Sequence, residues 1–186
     1  METETLYAVV LTFPDGIARA LDGIREDYRQ YVGYKIEPHI TLKMPFSPVA
    51  DEKVIHDALK RVADETRPFA LALDGARFFE GPNNVAYMSV EGGRQIVELH
   101  IGIVNSLRGL VRETGREIYE LDGFTPHMTL GECIPAEVFP EVKKELSGLS
   151  LRFECLMSSF SLYSGTFKSR WLPERVFDFS SNKGGD

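Results

Sequence analysis

The sequence predicts an α+β fold of two similar lobes, each a mostly antiparallel sheet flanked by helices, facing one another across a central cleft about a pseudo-two-fold axis. Three observations carry this. Segments of strand period and helix period alternate along the whole chain. Both halves run strand, helix, strand, helix, strand, the grammar of an internal duplication. And one string occurs twice at matching places, Pro38-His39-Ile40-Thr41-Leu42 and Pro126-His127-Met128-Thr129-Leu130. With this chain's own residue frequencies, a single chance occurrence of Pro-His-x-Thr-Leu has a probability of roughly one in a thousand.

Taken in order, residues 5–13 (TLYAVVLTF) are β-branched and aromatic and end at Pro14-Asp15-Gly16, a strand followed by turn chemistry. Ile17, Leu21, Ile24, Tyr28 and Tyr31 recur at helical spacing and predict a helix over 15–31. Residues 37–44 alternate as a strand. Val54, Ile55, Ala58, Leu59 and Val62 form the stripe of a helix over 51–65, stopped by Pro68, and 69–79 (FALALDGARFF) returns to strand with Gly75 as a bulge candidate. Gly81-Pro82-Asn83-Asn84 is a turn. A strand follows over 85–90, a long helix over 94–113, the second His/Thr strand over 125–133, a helix over 136–146, and strands near 151–163 and 171–179. Residues 1–180 read as one bilobal domain of two interleaved lobes with one motif each, and 181–186 as a disordered tail.

At 186 residues the chain is long enough to bury its own core, and 43% hydrophobic with 26% charged residues is ordinary globular composition. The first residues lack a basic region and a long apolar run, so neither a signal peptide nor a membrane span is expected. Two cysteines, Cys133 and Cys155, supply no disulfide framework and no metal-ligand spacing, and point to a reducing, cytoplasmic setting. A net charge of −7 argues against wrapping duplex DNA, which needs a broad basic face. Any nucleic-acid contact is expected to be local, and the chain to be a monomer.

Alternation places His39, Thr41 and Lys43 on one face of their strand, with Ile40, Leu42 and Met44 toward the core; His127, Thr129 and Gly131 take the equivalent face of the second copy. If the lobes oppose one another, two imidazoles and two hydroxyls converge. Imidazole titrates near neutrality, so one neutral His can accept a proton while a second, protonated, donates one. Such a pair suits in-line displacement at phosphorus, with each hydroxyl holding a non-bridging oxygen, and needs neither metal nor other cofactor. No GxxxxGK, HExxH or GxSxG string is present, so nucleotide-cradle, zinc-hydrolase and serine-hydrolase chemistries lack support.

The strings PHITL (38–42) and PHMTL (126–130), with GPNNVAYMSV (81–90) and FSLYSGTFKSRW (160–171), resemble the 2H phosphoesterase superfamily, in particular its 2′-5′ RNA ligase-like proteins and a bacterial phosphoesterase branch. The resemblance implies a metal-independent enzyme acting on RNA ends or nucleotides that carry a 2′,3′-cyclic phosphate. It implies that His39 and His127 are the acid/base pair and Thr41 and Thr129 the phosphate ligands. Where many relatives carry a basic residue shortly after the second motif, this chain continues Gly131-Glu132-Cys133. A noncatalytic RNA-end or nucleotide-binding module that keeps the phosphate pocket is the alternative. Further substrate-contacting candidates are Lys43, by strand alternation, and Tyr87, Tyr163 and Trp171, as aromatics able to stack on a base. His56 is expected on a solvated helix face, and His100 among apolar residues of its helix.

Overall fold

The computed structural model describes residues 4–31, 36–91 and 93–180. The expected tail at 181–186 lies outside them. The first strand, β1 (Leu6–Thr12), leads through Pro14 into α1 (Asp15–Glu26), where Asp15 sits favourably in the positively polarised first turn. The first His/Thr strand is β2 (His39–Pro48), and α2 (Glu52–Glu65), β3 (Phe69–Phe79) and β4 (Asn84–Glu91) follow. Next come α3 (Arg94–Leu107), the short β5 (Val111–Glu113), β6 (His127–Ile134) and α4 (Phe139–Ser147). The chain closes with β7 (Arg152–Met157), β8 (Ser159–Gly165) and β9 (Leu172–Asp178).

The strands lie in the order β7-β3-β4-β6-β2-β1-β8-β9, with β5 also pairing β2 and each of these pairings antiparallel. Two four-stranded halves meet at β2 and β6, where Ile40 is in register with Met128. This narrow seam is the lobe boundary, and a curled sheet in two halves replaces two separate sheets. One core, including Val9, Leu11, Ile40, Leu42, Met88, Met128 and Leu130, runs beneath both halves and against the helices. A smaller cluster, Leu6, Ala8, Val10, Tyr163 and Trp171, lies apart from it.

Three expectations are corrected. The helix over 15–31 ends at Glu26 and gives way to a 3₁₀ turn, Arg29–Tyr31; Tyr28 turns into the core, where its hydroxyl donates to Glu145 on α4. The helix over 94–113 ends at Leu107 because Gly109 adopts φ +76°, a left-handed stop, which frees Val111–Glu113 to pair with the end of β2. The strand over 151–163 is two strands in different halves of the sheet: β7 pairs β3 at one edge and β8 pairs β1. Consequently β3, although it belongs to the first half of the sequence, sits in the second lobe. The bulge expected at Gly75 is present as a register shift between Leu73 and Ala76, with Gly75 at φ +65°.

Candidate functional site

The seam brings the repeated strings together. Carrying the Ile40–Met128 antiparallel register one residue either way sets His39 beside Thr129 and Thr41 beside His127. Because Ile40 and Met128 point into the core, all four polar side chains share the opposite face of the sheet. All four are half-buried. On β1, Thr12 pairs with His39 and Val10 with Thr41; on β4, Ser89 pairs with His127 and Tyr87 with Thr129. The environment of one motif thus repeats in the other.

The two strands also bulge at the same place. Val9 and Val10 are consecutive on β1 but pair with Lys43 and Thr41, leaving Leu42 extra; Ala86 and Tyr87 on β4 pair with Gly131 and Thr129, leaving Leu130 extra. Alternation therefore fails immediately after each threonine. Leu42 and Lys43 are both buried, as are Leu130 and Gly131. Lys43, expected on the site face, is only 1% exposed, and its ammonium donates to Glu113 at 2.6 Å and to both carboxylate oxygens of Glu120 at 2.9 Å. Its charge is already matched inside the protein. Gly131 likewise leaves the site face: a Cβ there would stand 3.3 Å from Cβ of Tyr31 and 3.4 Å from Cδ1 of Ile134.

Each imidazole is held in the same manner. Nδ1 of His39 lies 2.8 Å from the carbonyl of Glu37, and Nδ1 of His127 lies 2.6 Å from the carbonyl of Thr125, in both cases two residues earlier. A carbonyl only accepts, so Nδ1 carries the proton and the lone pair of each neutral ring resides on Nε2. Burial pushes the His39 imidazole down from its ordinary value to about 4; the Glu37 carbonyl opposes this, and the charges of Arg25 and His127 add to it. His127 is also held below its ordinary value by burial, with the Thr125 carbonyl opposing. Both rings are therefore poised as bases with matched tautomers, and anionic ligand charge would draw a proton back onto one of them.

Aromatic side chains wall the second motif. Tyr87 stacks on Phe79 with centroids 4.2 Å apart, and both meet the His127 ring edge-on at 5.2 and 5.3 Å. Tyr163 and Trp171 belong to the small cluster with Leu6, Ala8 and Val10, and Val10 is the partner of Thr41. The Tyr163 hydroxyl donates to the Glu37 carboxylate. Both aromatics are almost wholly buried, Trp171 seated so closely over Gly165 that a Cβ there would come within 2.8 Å of the indole. His56 is half-buried, not solvated: Arg175 lies 3.0 Å from its Nδ1 and its ring meets Phe177. His100 is 1% exposed; Nδ1–H donates to the Leu42 carbonyl, Nε2 accepts from the Leu121 amide, and the ring stacks on Phe124 at 3.8 Å.

Sequence reasoning missed Phe79 and Arg25. Arg25 follows Leu21 by four residues and so falls on the buried stripe of α1, which is the signal that could have found it. Among the described residues no three His, Cys, Asp or Glu side chains cluster as they would around a metal ion. A hollow of about 760 Å³ between α2 and α3 is lined by none of the four motif residues. No helix among the described residues is long and apolar enough to cross a membrane.

Known proteins share this fold. The 2′-5′ RNA ligase superfamily profile matches residues 13–166. Two relatives, both carrying the name "Putative phosphoesterase", are 28% identical in Geobacillus kaustophilus (92% of this chain, 94% of that protein) and 26% identical in Oceanobacillus iheyensis (76% and 79%). Among solved structures, TT0787 of Thermus thermophilus superposes with TM-score 0.65 at 19% identity, over 94% of this chain and 97% of that one. LigT of E. coli, solved with 3′-AMP, superposes with TM-score 0.61 at 16% identity, over 95% and 99%. With the duplicated His-x-Thr strands meeting at one seam and the profile spanning most of its length, the chain belongs to the 2′-5′ RNA ligase superfamily, the 2H phosphoesterases.

Proposed function

We propose that the protein is a phosphoesterase that opens 2′,3′-cyclic phosphate ends of RNA or of small nucleotides by two-histidine general acid–base catalysis. The observation that carries this reading is the seam itself: His39 and His127 lie on one face, each with Nδ1–H tied to a backbone carbonyl, so that Nε2 is the basic nitrogen of both. One Nε2 takes a proton from water as the water oxygen bonds to phosphorus. The other imidazole, protonated, gives its proton to the departing ribose oxygen as that P–O bond breaks. Thr41 and Thr129 hydroxyls donate to the non-bridging oxygens, whose charge grows in the transition state. The capture of 3′-AMP by the similarly folded E. coli LigT supports a nucleotide substrate.

General acid or base catalysis contributes about 10²–10⁴-fold. His39→Ala and His127→Ala should each lower turnover of a 2′,3′-cyclic nucleotide by about that factor, with circular dichroism unchanged and EDTA present throughout. Wild-type rates in both variants would overturn the reading. One observation favours a second reading, a noncatalytic RNA-end or nucleotide-binding module: the second motif runs on into Gly131-Glu132-Cys133 with no basic residue, and Gly131 is packed against Tyr31 and Ile134. Saturable binding of cyclic-phosphate oligonucleotides without product would select it. A bell-shaped pH dependence of turnover, lost in either histidine variant, would select the enzyme.

A further inference from the structure

One buried side chain touches the backbone of both motif segments at once. His100 stands in α3, the helix that packs on β2, and is 1% exposed. Its Nδ1–H donates at 2.7 Å to the carbonyl of Leu42, the extra residue of the bulge directly after Thr41. Its Nε2 accepts at 2.8 Å from the amide of Leu121, and its ring lies flat on Phe124, with centroids 3.8 Å apart and 4° between the planes. Leu121 opens the 3₁₀ turn Leu121–Gly123, and Phe124 follows it. The next residue, Thr125, supplies the carbonyl that stands 2.6 Å from Nδ1 of His127. Leu121 needs such a partner. It adopts φ +50°, left-handed backbone that a leucine seldom takes, and its own side chain is 41% exposed and so anchors it little. Three successive residues of β2 reach this turn: Leu42 through His100, and Lys43 by its ammonium and Met44 by its amide, both to Glu120 at 2.9 Å. Burial and the Lys43 charge hold the His100 imidazole below its ordinary value, against the Leu42 carbonyl, which keeps Nε2 in its neutral, accepting form.

We propose that His100 is a positioning residue that joins the two motifs into one site, its Nδ1–H fixing the bulge behind Thr41 and its Nε2 and ring fixing the turn whose next carbonyl sets the tautomer of His127. The assignment rests on the two-histidine reading above. A residue that only filled the core here would need no more than an apolar ring. Both nitrogens are instead engaged, one with the backbone after Thr41 and the other with the backbone ahead of His127. Imidazole is the one side chain that carries a donor and an acceptor at separate atoms of an aromatic ring, and all three features are used. His39 has its own tether, the Glu37 carbonyl ahead of β2, and so provides an internal control.

The test is nitrogen NMR of the imidazoles in the intact protein without substrate, which reads the tautomer of each ring. An Asn amide ends about where Nδ1 stands and a Gln amide about where Nε2 stands, so His100→Asn keeps the bond to Leu42 and His100→Gln keeps the bond from Leu121. In the wild type and in His100→Gln, His127 should carry its proton on Nδ1. In His100→Asn the proton should spread over both nitrogens, with His39 unchanged in all three. Phe124→Leu, at a half-buried position that leaves His100 intact, should shift His127 in the same direction as His100→Asn. Turnover of a 2′,3′-cyclic nucleotide should fall about 10–100-fold in kcat in His100→Asn, with KM within about twofold, and His100→Gln should recover most of it. A His127 tautomer unchanged in folded His100→Asn or, if that variant does not fold, in Phe124→Leu would overturn the proposal. Equal loss in the Asn and Gln variants, or a His39 signal that moves with that of His127, would overturn it too. A His127 signal that moves as expected in a protein without cyclic-phosphate turnover would uphold this link and defeat the phosphoesterase reading; turnover with an unmoved signal would do the reverse.

Discussion

For an imidazole held neutral by burial, acid is the direction of danger. Native His39 binds a proton only near pH 4, whereas in the unfolded chain it does so near its ordinary 6.5, so between those values the unfolded state carries more protons. Stability therefore rises as pH climbs through about 4 to 6.5 and is lost as pH falls through the same window. Chemical denaturation midpoints measured across that window should show this slope, and His39→Gln, which cannot titrate, should flatten it. A slope of equal size in His39→Gln would assign the effect elsewhere. Lys43 supplies a second residue-scale case. Removing the ammonium with Lys43→Met strands the Glu120 carboxylate, which is 3% accessible and also accepts from the Met44 amide. Leaving a buried charge unpaired costs about 3–5 kcal/mol, so Lys43→Met should unfold at markedly lower denaturant, and the double variant Lys43→Met, Glu120→Gln should recover part of the loss.

At the scale of elements, the divide between what the sequence disclosed and what it withheld falls at the bulges and glycines. His39, Ile40, Thr41 and His127, Met128, Thr129 obey strict alternation, and their faces were legible from pattern alone. One residue further on, the extra Leu42 and Leu130 reverse that alternation, and no local feature of KMPF or GECI announces it. The error over Lys43 follows directly: a one-residue slip sends every later side chain to the other face. Helix α3 ran long in prediction because Leu110 and Val111 continue an apolar pattern that only the left-handed Gly109 interrupts. Arg25 escaped because a guanidinium on an apolar stripe reads as a solvated head on a buried stem. Its Nη contacts with the Ile36 carbonyl come from a segment eleven residues away, and so from tertiary structure.

On the scale of the whole molecule, the grammar of the halves was legible while their assignment to lobes was not, since pairing partners are fixed by the closed sheet and not by the order of elements. The first lobe takes β2 and β1 from the start of the chain and β8 and β9 from its end; the second takes β3, β4, β6 and β7 from between. The helices add a further exchange: α1, which leaves the first lobe's β1, packs on β6, and α3, which leaves the second lobe's β4, packs on β2. With one core beneath both halves, we propose that residues 4–180 melt as one unit, near- and far-ultraviolet transitions coinciding. Strand exchange between the lobes carries a consequence for anyone who would cut the chain. The exposed turn at Glu80 to Asn83 divides the two copies of the motif, yet each piece would hold strands of both lobes and a helix belonging against the other piece. Residues 1–81 and 82–186 made separately should therefore remain unfolded, and when mixed should recover the native circular dichroism together with any cyclic-phosphate turnover: two incomplete molecules, each the template for the other.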